Sequence, residues 1–273
     1  MKRSTRLSEL HPALLRLRTA QLVAARRLAD GIRRPHFARV QLSSSLPVTL
    51  VKHESRLRRR LAGLDPRYQE TKIVNLALAA RSLDGLLVHP GELFSFWDRV
   101  GNPTERRGFA PGLVLRHGEV GIDVGGGLCQ MSNLLYWMAL HTPLAVTEQH
   151  HHGFDPFPDD VRVQPFGSGA SVFYNYGDLR LLNTTGATFQ ISVQLTDTYL
   201  LGAIRSDREL PTQHEVEERG HRFRRAEDGR VYRENELWQT VIDRATGAHL
   251  VSRLITRNHA LVKYPVPDNL IEA

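Results

Sequence analysis

Three consecutive glycines, Gly125-Gly126-Gly127, run straight into Leu128, Cys129 and a helical pattern, and this junction limits what the middle of the chain can become. Met131, Leu134, Leu135 and Met138 recur at the three-and-four spacing of a buried helix face, and Pro143 marks where that helix has ended. A glycine run carries no Cβ atoms, so its backbone can turn sharply and gather N–H groups into a concavity. Cys129 is the sole cysteine among 273 residues and is expected in the first helical turn. There, unpaired N–H groups and the helix dipole would lower the thiol pKa. A cysteine nucleophile needs that setting, and Gly125, Gly126, Gly127 and the adjoining Gln130 form the loop expected to hold an oxyanion. The competing reading makes Cys129 a small apolar core side chain. A core cysteine has no use for three preceding glycines.

One cysteine excludes an intramolecular disulfide framework and argues against a cysteine-rich zinc site, so neither a metal nor a cofactor is expected. No apolar run approaches the roughly 18 residues that a membrane span requires. Arg16, Arg18, Arg26 and Arg27 interrupt every candidate signal segment, which predicts a cytoplasmic or peripheral inner-membrane placement. The net charge of +7 is unevenly placed. Residues 1–60 carry 15 Lys/Arg and 3 Asp/Glu, a balance of +12, whereas the other 213 carry 21 and 26, a balance of −5. A basic arm suggests an anionic partner, but no nucleic-acid signature or interleaved aromatics accompany it, so nucleic acid is not expected.

Residues 11–33 predict an amphipathic helix, with Leu14, Leu17, Ala24, Leu28 and Ile32 among several arginines. The preferred expectation packs it on the domain with its arginines in water; the alternative lays it on an anionic membrane surface. Arg56–Arg60 reads as a solvated helix face. A cleaner helix covers 70–85, with Gly85 as its C-cap, and a short strand with a Pro90-Gly91 turn follows. Gly112–Leu115 and Glu119–Ile122 predict a hairpin through His117-Gly118, and 144–148 a strand. Further strands are expected at 171–176, 179–182, 188–195 and 199–205, then a linker at 208–218 and a meander over 221–262. The fold class is α+β: helices early, the glycine loop and Cys129 helix, then mainly antiparallel strands. Three segments are expected: a basic helical segment 1–66, a core 67–207 with the site, and a C-terminal β-meander 208–273.

A cysteine nucleophile needs a base, and imidazole suits the task near neutral pH. His150-His151-His152 follows the Cys129 helix and one strand. In extended chain, His150 and His152 point one way and His151 the other, so one of the same-side pair is expected to face the thiol. An incidental surface cluster is the alternative.

Gly125-Gly126-Gly127-Leu128-Cys129-Gln130 with the preceding Pro90-Gly91-Glu92-Leu93-Phe94-Ser95-Phe96 resembles the VanW family, named from vancomycin-resistance clusters of the B type. The likeness takes in Tyr68–Lys72, Asn75–Ala80, His141–Leu144 and Tyr264–Pro267, most strongly over 68–205. It implies a cell-wall role and a cysteine nucleophile of L,D-transpeptidase type at Cys129, with the family histidine falling on His150 and His152, His152 favoured. Gln149 stands where many members have arginine, and Gly169 where many have an aspartate. If that aspartate orients the histidine, Glu148 or Asp155 is the substitute. The expected function is acyl transfer on peptidoglycan or a precursor stem peptide. The alternatives are an accessory module that binds such peptides without chemistry and, last, a metal site.

Overall fold

The structure is a computed structural model and describes residues 12–58, 65–116, 119–151, 153–155, 158 and 164–272. Its centre follows from strict alternation in two neighbouring segments. Strand β1 spans Val48–Arg56, β2 Leu86–Val88, β9 Phe189–Leu195 and β10 Tyr199–Ser206, in the antiparallel order β1-β10-β9-β2. Every second residue of β10 is buried, which gives the sheet one core face. Helix α4 (Cys129–Ala139) lies on that face, and Gly202 of β10 admits it: a Cβ there would stand 2.6 Å from Met138 Cε. Helix α2 (Arg67–Leu83) adds buried Leu76, Ala79, Ala80 and Leu83 to the same core.

Around this centre stand three further sheets. Strands β3 (Leu93–Ser95), β6 (Ala145–Glu148) and β8 (Arg180–Leu182) run in the order β3-β8-β6. Ser95 ends β3 and starts the short helix α3 (Phe96–Val100), its Oγ accepting from the Asp98 N–H. β4 (Pro111–Arg116) and β5 (Glu119–Val124) form the hairpin expected from the sequence, with His117-Gly118 outside the described residues. The C-terminal sheet orders β14 (Ile271–Glu272), β11 (Thr212–Arg225), β12 (Val231–Asp243), β13 (His249–Val262) and β7 (Phe154–Asp155) side by side. The fold is therefore α+β, with four helices and fourteen strands among the described residues.

Four expectations need correction. The segment 208–218 is no linker: β11 begins at Thr212, and its charge on both faces reflects a largely exposed strand, as in the Arg222–Glu234 pair with β12. Residues 171–176 form no strand but a turn bridged from Phe173 to Gly177. Arg56 closes β1, not a helix, and Arg58 reaches Glu70 at 2.6 Å. Gly85 lies one residue beyond the α2 cap, Asp84, and its φ of +74° serves a close approach to the Leu42 carbonyl.

The first helix holds the largest surprise. Helix α1 (Pro12–Arg33) forms where the periodicity put it and packs on the body with Arg16, Arg18, Arg27 and Arg33 in water, but the aliphatic stripe does not turn inward. Leu14, Leu17, Leu28 and Ile32 are exposed. Arg26 turns inward to Glu148 at 2.5 Å, and Asp30 takes both Nη atoms of Arg180 at 2.7 and 2.6 Å. The inward face thus joins these ion pairs to half-buried Leu15, Leu22 and Val23.

Candidate active site

The glycine loop is shaped by contact. Gly125 and Gly127 adopt φ of +78° and +89°, which side chains with a Cβ disfavour. A Cβ on Gly126 would stand 2.1 Å from the Gly112 carbonyl, and one on Gly127 2.2 Å from Lys72 Cγ. Buried Asn75 of α2 clamps the loop: its Nδ2 donates to the Gly126 and Ala110 carbonyls, both at 2.9 Å, and its Oδ1 accepts from the Ala110 N–H. The N–H of Gly125 goes to the Ala110 carbonyl and that of Gly126 to the Asp123 carbonyl. Those two amides are therefore spent on the loop itself and are no oxyanion donors. Gln130 likewise ties down the fold, donating to Ser55 Oγ and the Arg56 carbonyl at 2.9 Å.

Cys129 opens α4, as expected, and is partly exposed in the wall of a cleft of about 740 Å³. Its sulfur faces two backbone N–H groups, its own and that of Val172. Val172 is brought there by α4. Ser132 Oγ donates to the Ala170 carbonyl at 2.6 Å, and Asn133 Oδ1 accepts from the Ala170 N–H at 2.7 Å. The expected depressed thiol pKa is not found. Burial pushes the Cys129 thiol up, and this outweighs the two N–H groups that favour thiolate.

The histidine run divides against expectation. His150 turns away from the cleft lining and donates from Nε2 to Glu148 Oε1 at 2.9 Å, its ring against Gly177. His151 lines the cleft with Cys129 and meets the Tyr136 ring edge-on at 6.4 Å between centroids. Its pKa is lowered, first by burial against the cleft walls and then by neighbouring His150, which favours a neutral imidazole able to accept a proton. His152 lies outside the described residues. His150 and His151 thus have different surroundings, one held by Glu148 and the other in the cleft wall.

Neither orienting candidate serves the cleft histidine. Glu148 holds His150 and also receives Arg26, the Asp178 N–H at 3.0 Å and, at 3.6 Å, Arg180. Asp155 is buried with Arg233 at 3.2 Å and Tyr264 Oη at 2.8 Å, a tie from β7 to the C-terminal sheet. Gln149 and Gly169 touch each other: Gln149 Nε2 donates to the Gly169 carbonyl at 2.7 Å.

No local motif points to the far wall of the cleft. Thr256, Asn258 and Ala260 of β13 line it, and β12 anchors that wall through Asn235, which donates to the Phe166 carbonyl at 2.7 Å. Asn75 carries a local signal, since a polar residue inside an apolar helix stripe requires a partner. Among the described residues no three histidine, cysteine or acidic side chains are grouped to hold a metal ion.

A family model described as VanW like protein matches residues 71–205. The chain is 32% identical over 269 residues to the Vancomycin B-type resistance protein VanW of Enterococcus faecalis, covering 97% of this chain and 96% of that protein. This chain belongs to the VanW family. It is also 31% identical over 109 residues to the uncharacterized protein YoaR of Bacillus subtilis, covering 40% of this chain and 34% of that one. No solved structure matches it. The VanW match at 71–205 takes in Asn75, the glycine loop, Cys129, His151 and the 168–172 segment, while the β13 wall lies beyond it.

Proposed function

We propose that the cleft binds an extended peptide of the cell wall, peptidoglycan or a precursor stem peptide, and that Cys129 is acylated by it. The observation that carries this reading is the sharing of one cleft by Cys129 and His151, with the Cys129 and Val172 N–H groups at the sulfur. The thiol adds to an amide carbonyl while His151 takes its proton. The two N–H groups stabilise the oxyanion, which collapses to a thioester as the leaving amine takes the proton back from His151. A second amine, or water, then accepts the acyl group and frees the thiol. A resting thiol with a raised pKa suits this order, because ionisation then waits for the base and the bound peptide.

The same raised pKa also favours a second reading, in which the cleft grips a stem peptide without chemistry. Intact-mass measurement after incubation with stem peptides separates the two. An adduct on Cys129, absent from Cys129→Ser, supports acyl transfer. Saturable peptide binding with an unmodified thiol, equal in both proteins, supports the binding module. The cell-envelope setting rests on the family, and among the described residues no helix is long and apolar enough to cross a membrane.

A further inference from the structure

Helix α1 separates its side chains in an unusual sense. Its acidic side chain, Asp30, faces inward and is held bidentately by Arg180, and Arg26 is drawn inward by Glu148. What remains outside is an aliphatic stripe of Leu14, Leu17, Leu28 and Ile32, between 44% and 73% exposed. Arg16, Arg18, Arg27 and Arg33 are exposed beside it, with no acidic side chain among the exposed residues of this helix. The helix is thus fixed to the body by these ion pairs and by half-buried Leu15, Leu22 and Val23, and the face it turns to solvent is aliphatic with only basic charges beside it. Such a face has the composition of a helix that lies in the plane of an anionic lipid surface.

We propose that α1 docks the protein flat onto an anionic bilayer, with Leu14, Leu17, Leu28 and Ile32 entering the headgroup boundary and the flanking arginines meeting lipid phosphates. A second copy of the chain fits the face less well, because a symmetric pairing would set the arginines of one copy against those of the other. Thr19, on the inner side of α1, lines the Cys129 cleft, so the docking helix also forms part of the cleft wall. The proposal stands whatever chemistry the cleft performs.

Flotation of the full chain with vesicles of phosphatidylcholine, alone or mixed with phosphatidylglycerol, tests it. Binding is expected to the mixed vesicles only and to fall as salt is raised. Leu17→Asp combined with Leu28→Asp should lower partitioning by about tenfold or more. Replacing Arg16, Arg18 and Arg33 by glutamine alters only exposed side chains and should cost about fivefold for each charge removed. Failure of the natural chain to float with anionic vesicles at low salt would overturn the proposal. So would flotation retained by both variants, or a dimer abolished by Leu17→Asp in a protein that ignores lipid.

Discussion

Four consecutive residues divide two very different regions of this molecule. Glu148 and His150 belong to a charge network under α1, while His151 lines the cleft with Cys129 and Gln149 reaches the Gly169 carbonyl of the cleft wall. The network is saturated. Asp178 is fully buried and receives Ser95 Oγ, the Trp97 and Leu179 N–H groups and Arg180 Nε, while Arg180 also holds Asp30 and stacks on Phe37. The cleft is the opposite: Cys129, half-buried, and His151, exposed, both stand in its wall. A histidine tied to a carboxylate inside a network serves the fold, whereas a histidine in the wall of a cavity is available to a ligand. The difference teaches that carboxylate pairing alone does not identify the reactive imidazole.

Substitutions can break this contrast at either end. The largest effect is expected from Arg180→Met, which strands Asp178 and Asp30 and should cost about 3–5 kcal/mol in denaturant unfolding. Asn75→Ala removes the clamp on the glycine loop and takes the Asn75 partner from the Gly126 carbonyl and the Ala110 N–H, a loss of about 2–3 kcal/mol by the same measurement. Cys129→Ser should change stability by less than about 1 kcal/mol, because the residue opens a helix in a cavity wall and serine is tolerated there.

Two pH experiments sharpen the contrast further. Burial pushes the Glu148 carboxyl up, but His150, the Asp178 N–H and Arg26 together hold it below its ordinary value of 4.5. A carboxylate depressed in the folded state stabilises the protein above its unfolded pKa, and that contribution is lost as pH falls through the folded value. The acid limb of the unfolding curve should therefore flatten in Glu148→Gln. The Cys129 thiol is raised above its ordinary value of 9.0, so its alkylation by iodoacetamide in the free protein should rise with a midpoint above 9. A reaction already at plateau near neutral pH would mean a thiolate–imidazolium pair instead.

Local pattern made much of this legible. The α1, α2 and α4 periodicities, the 111–124 hairpin and the alternation of β9 and β10 rest on nearest-neighbour rules, and each appears where those rules put it. The position of Cys129 at a helix start after a glycine loop was readable for the same reason. What was not readable depends on distant partners. The face of α1 that turns inward meets Glu148 and Arg180, more than a hundred residues away. The cleft histidine is set by which ring Glu148 captures, and the thiol pKa by burial that no local motif encodes. Composition likewise hid β11, whose exposed faces look like a linker until β12 supplies its partners.

The division between His150 and His151 is tested most directly by the rate at which Cys129 acquires an acyl adduct from a stem peptide, followed by intact mass in two variants. His151→Ala should abolish the adduct while His150→Ala, if folded, retains it. Retention in His151→Ala together with loss in a folded His150→Ala would contradict the assignment and return the catalytic role to the charge network.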